Sequence, residues 1–329
     1  DERSRLRLSM VTLNNTYRRY SYNLPVINYY AENEAKGFID TVEEQFHSDL
    51  DNIAESIMEL EKQCNIIMLT GPSSSGKTTT AKLLKSKFES AGRNTHIISL
   101  DNFYTGKKNI PKLPNGEYDY EALEALDIPY IKSCIKSILT NGSCMLPKYS
   151  FAKGERDSVF TELKVEKDSF IIIEGIHALN PIFTEGINAE AIKKIYISVK
   201  QGIKNTEKKI LRAEDIRFLR RLVRDTAFRG SDGEETISMW DNVCLGERKY
   251  IRPFKYMSDY TLNTFHPYEV CILKDEAIKI LSEVDRNGEN YSYAERMISA
   301  LEQFYSIDQE LVPKYSLLRE FIGGSSFEY

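Results

Sequence analysis

The octapeptide GPSSSGKT, Gly71 to Thr78, fits G-x-x-x-x-G-K-[ST] at every fixed position. An apolar run, IIMLT, leads into it, and a helix-like stretch, TTTAKLLKSKF, leads out. This is chemistry for phosphate. The glycines let the main chain wrap around oxygens without a Cβ clash, and successive N–H groups from Ser73 to Lys77 converge as a nest. The helix that follows turns its positive end toward the same anion. Gly71, Ser73, Ser74, Ser75, Gly76, Lys77, Thr78 and Thr79 are the expected triphosphate-binding residues. Lys77 reaches the β- and γ-phosphates, and the Thr78 hydroxyl ligates Mg²⁺.

Phosphoryl chemistry needs carboxylates that such a loop does not supply. Asp101 closes HIISLD and Glu174 closes FIIIEG. In a parallel sheet the carboxyl ends of the strands border the ligand crevice, so both acids can meet the phosphates. Asp101 is expected to accept or orient the proton of an acceptor hydroxyl, beside the metal. Glu174 is expected to hold Mg²⁺ or its waters, since one or two carboxylates suffice for that ion. A third constellation is IRFLRRLVRDTAFRGSDGEE, with Arg217, Arg220, Arg221, Arg224 and Arg229. Arg217, Arg220/Arg221 and Arg224 are spaced to share one helical flank. They read as a lid over about 212–250, whose Arg220, Arg221, Arg224 and Arg229 disperse charge on the transferring group. The blander alternative is a solvated face paired with Glu214, Asp215 and Asp225.

The elements that must carry these residues follow from periodicity. Short apolar runs recur at Ile66–Leu69, His96–Leu100, Phe170–Ile173, Ile195–Val199 and Tyr260–Leu262. Helix-like segments lie at Thr78–Ser90, Glu121–Leu139 and Lys208–Phe228. The alternation predicts an α/β fold: a doubly wound parallel sheet with helices on both faces, over 64–275. Before it, Phe38, Val42, Phe46, Leu50, Ile53, Ile57 and Leu60 mark one face of a long helix. After it, Tyr293, Met297, Leu301 and Phe304 mark another. Pro313 interrupts, and Leu317, Leu318 and Phe321 precede the Gly323–Gly324 stop.

Composition narrows the class. With 41% hydrophobic and 28% charged residues in 329, the chain is globular and not disordered. No stretch approaches the ~20 apolar residues of a membrane helix, so no membrane partner is expected. The net charge is −5, so nucleic acid is not an expected partner. Five dispersed cysteines without a C-x-x-C pair argue for a reducing compartment. The start, DERSRLRLSM, lacks a secretory apolar run, so a cytoplasmic location is expected. It begins with Asp, which suits a fragment of a longer chain.

Taken in order, GPSSSGKT, SLDNFY (Ser99–Tyr104), YDYEALEALD (Tyr118–Asp127), PKYSF (Pro147–Phe151), IIIEGIHAL (Ile171–Leu179) and RRLVRDTAFRG (Arg220–Gly230) resemble the motifs of the uridine kinase and phosphoribulokinase family of P-loop kinases. The resemblance implies a P-loop kinase-like fold, ATP as donor, Mg²⁺, and a small-molecule nucleoside, uridine or cytidine by default, phosphorylated on its 5′-hydroxyl. It makes Asp101 the base and Asp119 the holder of the ribose hydroxyls. Tyr149 then stacks near the base with Phe151 beside it, Tyr104 lines the pocket, and Arg220, Arg221, Arg224 and Arg229 form the lid. The chain departs from the pattern at one place. The family's uridine-cytidine kinases carry a pyrimidine-reading His where YSFAKGER has Gly154, and Lys153 and Arg156 are the nearest polar groups. Two alternatives follow: another small hydroxyl acceptor, such as a sugar phosphate or a pantothenate-like molecule, or a nucleotide-binding regulatory protein with weak catalysis. The ending VPKYSLLREFIGGSSFEY resembles a branch of uridine-kinase-like proteins. Longer members of that branch begin with a region similar to the N-terminal part of threonyl-tRNA synthetase. The expected organisation is an N-terminal arm and amphipathic helix over 1–62, a P-loop kinase domain over 63–280, and a C-terminal helical extension over 281–329. A homo-oligomer is left open.

Overall fold

The computed structural model describes residues 23–60, 65–113, 116, 118–150, 153–206 and 208–328. The expected arm before residue 23 lies outside them. Along the chain run α1 (Leu24–Asn33), α2 (Ala35–Met58), β1 (Ile66–Thr70), α3 (Lys77–Ser90), β2 (Thr95–Ser99), α4 (Ile128–Asn141) and β3 (Phe170–Glu174). Then come β4 (Ile192–Ser198), α5 (Ala213–Phe228), α6 (Gly233–Gly246), β5 (Tyr260–Asn263), α7 (Glu269–Ser282) and α8 (Tyr291–Leu301), with short hairpins between. The described residues divide into two compact units, one within 47–198 and 239–263, the other within 23–46, 199–238 and 264–328.

The first of these holds a five-stranded sheet in the order β5-β4-β1-β3-β2, parallel throughout. The run IIMLT is buried along its whole length because both faces of β1 are covered. Ile66 and Met68 point to the side where Ile131, Ile135 and Ile138 of α4 pack. On the alternate phase, Ile67 and Leu69 are buried too. Helix α3 packs against β1, β2 and β3, and its Phe88 ring lies 4.6 Å from that of Phe170. The expected doubly wound sheet is what forms.

Two element boundaries differ from the periodic reading. The helix expected over Glu121–Leu139 begins only at Ile128. Asp127 caps it by accepting the Tyr130 N–H at 3.2 Å, and Pro129 sits in the first turn, where its missing N–H costs nothing. The helix expected from Lys208 begins at Ala213. Lys208–Leu211 instead pairs antiparallel with Ile203–Asn205, and Asp215 accepts the Arg212 N–H at 2.8 Å to start α5.

In the second unit the helical ends and the arginine-rich helix form one body. Helix α5 packs on α7, and α7 on α8. Its buried polar centre joins segments far apart in sequence. The Glu43 carboxylate of α2 accepts hydrogen bonds from the Tyr268 hydroxyl and from Ser316 Oγ, the latter at 2.6 Å. Beside it, Glu269 pairs with Arg220 and also accepts the His266 N–H at 2.9 Å. The His266 ring is buried against Phe46 and Tyr268. Burial, aided by the Arg220 charge, pulls its pKa down to about 4, against the opposing pull of Glu269. The folded state therefore favours the neutral ring, and the unfolded chain takes up a proton first as pH falls. This stability is fully present above about 6.5 and is lost as pH falls toward 4. Over that window wild type is expected to lose up to ~3 kcal/mol more than His266→Gln, read from urea melts. Parallel pH slopes for the two proteins would contradict this.

Candidate active site

The phosphate-loop residues, Asp101, Tyr104, Asp119, Tyr149, Lys153, Arg156 and Glu174 all belong to the sheet-bearing unit. Phe151 lies outside the described residues. The loop follows β1 directly. Ser75 N–H closes on the Pro72 carbonyl at 3.2 Å, and Ser74 and Gly76 take the left-handed conformation, with φ of 57° and 87°. That turns consecutive N–H groups toward one centre, as an anion nest requires. Gly71 has no room for a side chain: a Cβ there would stand 2.4 Å from the Ile197 carbonyl oxygen of β4. Lys77 is the first residue of α3 and its ammonium donates to the Pro72 carbonyl at 3.1 Å, so it already curls back over the loop. Ser74, Ser75 and Thr79 are buried, while Ser73, Lys77 and Thr78 are partly open.

Register brings the two acids to the same end of the sheet. In the sheet, Glu174 stands opposite Leu69 of β1 on one side and Ser99 of β2 on the other. Glu174 is buried at the carboxyl end of β3, and Asp101 lies in the tight turn just beyond β2. The loop's root, Glu174 and Asp101 thus share one edge of the sheet. Thr70 secures this edge. Its hydroxyl lies 2.8 Å from the Gly175 carbonyl and 2.7 Å from that of Ile176, tying the turn after Glu174 to the strand that enters the loop. Periodicity gave no sign of Thr70's role, because it reads as one more strand residue.

The acceptor-side residues gather on tyrosines. The Tyr104 ring lies 5.4 Å from that of Tyr149 and 6.0 Å from that of Tyr120. The Tyr104 hydroxyl donates to the Tyr120 carbonyl at 2.7 Å. Burial, and then the negative charge of Asp101, hold the Tyr104 phenol well above its ordinary range, so it stays a neutral donor. Asp119 accepts the Glu121 N–H at 3.1 Å, which fixes its carboxylate in a short turn. Gly154 is left-handed, with φ +66°, and a Cβ there would meet Lys107 Cε at 2.5 Å. The stem of Lys107 fills the space a side chain at 154 would take.

Arg156 differs from its expected place against the acceptor. Its guanidinium donates to Asp127 at 3.0 Å, to the Phe103 carbonyl at 2.9 Å and to the Tyr104 carbonyl at 3.2 Å. It holds the chain just beyond Asp101 and does not present a free cation. Arg156→Lys keeps the charge and loses the three-way fork, and is expected to lower kcat about tenfold and stability by ~1–3 kcal/mol. Unchanged kcat in a folded Arg156→Lys protein would count against this positioning role. Lys153 is exposed.

The arginine helix belongs to the other unit. Arg220 is fully buried, paired with Glu269 and bonded to the Thr264 carbonyl, with the Phe321 ring 5.3 Å away. It is committed to that core, unlike the swinging lid residue the motif suggested. Its partner lies 49 residues on, beyond the reach of pattern reading. Arg221, Arg224 and Arg229 all lie within ion-pair distance of Asp225, at 3.3, 2.7 and 3.5 Å. Arg224 also lies 4.0 Å from the Glu320 carboxylate.

For a divalent cation, the oxygens on offer are the Thr78 hydroxyl and the Asp101 and Glu174 carboxylates. Among the described residues no group of three or more His, Cys, Asp or Glu could hold a metal. An ion such as Mg²⁺ uses one or two carboxylates plus phosphate oxygens and water. Among the described residues no helix is long and apolar enough to cross a membrane.

Comparison with known proteins agrees with this architecture. A uridine kinase of Lactobacillus helveticus is 29% identical over 202 residues, which is 61% of this chain and 86% of that protein. A uridine kinase of Deinococcus deserti is 26% identical over 189 residues, or 57% and 78% of the two chains. A candidate fructose transport system kinase from Silicibacter shares the fold, with a TM-score of 0.50 at 18% identity over 64% of this chain and 98% of that one. The family model for phosphoribulokinase and uridine kinase matches residues 66–268, so the chain belongs to that family of phosphotransferases.

Proposed function

We propose that the protein is an ATP- and Mg²⁺-dependent kinase that transfers the γ-phosphoryl group to the 5′-hydroxyl of a nucleoside, with uridine or cytidine the default acceptor. The observation that carries the reading is the juxtaposition at the carboxyl ends of three adjacent strands: Leu69, Glu174 and Ser99 are in register, the phosphate loop follows the first strand and Asp101 lies two residues beyond Ser99. The loop's N–H groups and Lys77 bind and orient the triphosphate. Mg²⁺, when bound, neutralises the phosphate oxygens as charge shifts to the leaving group. Thr78 and Glu174 would hold that ion. Asp101 takes the proton of the attacking hydroxyl. An ordinary carboxylate suffices, because little pull is needed in a loose phosphoryl transition state. Asp119 holds the sugar hydroxyls, and the Tyr104–Tyr149 wall covers a planar base. A reducing, cytoplasmic setting fits the four free, buried cysteines among the described residues.

One observation favours a second reading. The Lys107 stem occupies the space above Gly154, so a lysine lies beside the position where an imidazole was expected. A sugar phosphate or a carboxylate-bearing acceptor would match it. The test is a panel of nucleosides and sugar phosphates with ATP and Mg²⁺, scored by ADP release. Uridine or cytidine turnover supports the first reading. Turnover only with anionic acceptors overturns it in favour of the second, and tight ATP binding without turnover overturns both.

A further inference from the structure

We propose that His177 is an acceptor-contacting residue, supplying from the turn after Glu174 the neutral imidazole that Gly154 does not. The inference rests on the reading of this cleft as an acceptor site. His177 is 2% exposed, yet neither ring nitrogen makes a well-formed hydrogen bond among the described residues; the Glu121 main chain lies near enough to interact with one of them and leaves the other unmet. A neutral imidazole carries one donor and one acceptor, and leaving a buried polar group unmet costs ~1–3 kcal/mol. Buried groups of this kind are rare, and each calls for a cause, such as a ligand that satisfies it.

The position points to the acceptor. His177 lies three residues beyond Glu174, in the turn that Thr70 fastens to the phosphate-loop strand. Its ring meets the Tyr250 ring edge-on at 5.6 Å. On another side lie the Glu121 main chain and Glu124, both of the segment that carries Asp119. Both groups favour a charged ring, but burial outweighs them and draws the pKa down to about 4. At neutral pH the ring is therefore an uncharged donor and acceptor. Such a group matches a carbonyl or a ring N–H, and it gives no charge attraction to a phosphate. His177 thus specifies a neutral, hydrogen-bonding edge on the acceptor.

The test uses the full chain with ATP, Mg²⁺ and whichever panel compound it turns over, uridine first. His177→Leu is expected to raise the acceptor KM about tenfold or more while the ATP KM stays within about twofold. His177→Gln, which keeps a donor and an acceptor, is expected to recover most of the loss. In wild type, the His177 imidazole ¹⁵N signals are expected to shift when uridine is added. If uridine is turned over and His177→Leu leaves its KM unchanged, the contact is refuted while the nucleoside reading stands. If only an anionic acceptor is used, the nucleoside reading fails. The variant's KM for that acceptor then decides the contact: a tenfold rise upholds it and no change removes it. Should His177→Leu not fold, or no compound be turned over, the wild-type ¹⁵N titration with uridine decides, and unmoved signals overturn the proposal.

Discussion

Asp101→Asn is expected to lower kcat by ~10²–10⁴ while ATP still binds. The amide has the shape of the carboxylate, so the turn after β2 keeps its form, and what disappears is the ability to take a proton. The neighbourhood is built to hold that carboxylate still. Ser99, two residues before it, lies in register with Glu174, and Phe103 and Tyr104, just after it, have their carbonyls pinned by Arg156. The buried Tyr104 phenol is driven up in part by the Asp101 charge, which places that charge close to the tyrosine wall. Two measurements separate the roles assigned to Asp101. A fall in kcat with an unchanged ATP Kd, taken by calorimetry in Mg²⁺, assigns it to the acceptor proton. A matching loss of Mg²⁺–ATP affinity assigns it to the metal. A kcat within about threefold of wild type would remove it from the chemistry.

Much of the site was legible because its parts are local. The phosphate loop is eight contiguous residues, and the strands before and after it announce themselves as apolar runs. Strand ends then bring Asp101 and Glu174 to the same edge, a consequence of parallel pairing that needs no contact map. What escaped was set by contacts across the sequence. Arg156 reads as an exposed cation until Asp127 and two carbonyls are seen around it. Arg220 reads as one of a charged series until Glu269 is found beside it, buried. Both are guanidiniums, whose forks bind carbonyls and carboxylates as well as they bind phosphate, so a count of arginines cannot separate scaffold from site. His177 escaped for the opposite reason. A lone histidine after a buried strand looks structural, and only the lack of a well-formed hydrogen bond at its buried nitrogens distinguishes it.

Lys77→Met is expected to lower kcat/KM by ~10²–10³, from loss of one preorganised charge on the transferring group. Methionine preserves the length and the apolar stem of lysine and removes the ammonium. The backbone nest survives the change, since the left-handed Ser74 and Gly76 and the close approach of Gly71 to β4 do not involve the Lys77 side chain. ATP should therefore still bind, more weakly, on the N–H groups alone. Lys77→Arg tests geometry in place of charge. The guanidinium is planar and broader than an ammonium, and Lys77 already reaches back over a loop tight enough to bring its ammonium 3.1 Å from the Pro72 carbonyl. Arginine is therefore expected to restore binding more than turnover. If both variants turned over at rates near wild type with folded spectra, the positive charge at this loop would have no part in transfer. If Lys77→Arg alone regained full turnover, charge without shape would be enough, and the tight curl of the lysine over Pro72 would lose its catalytic meaning.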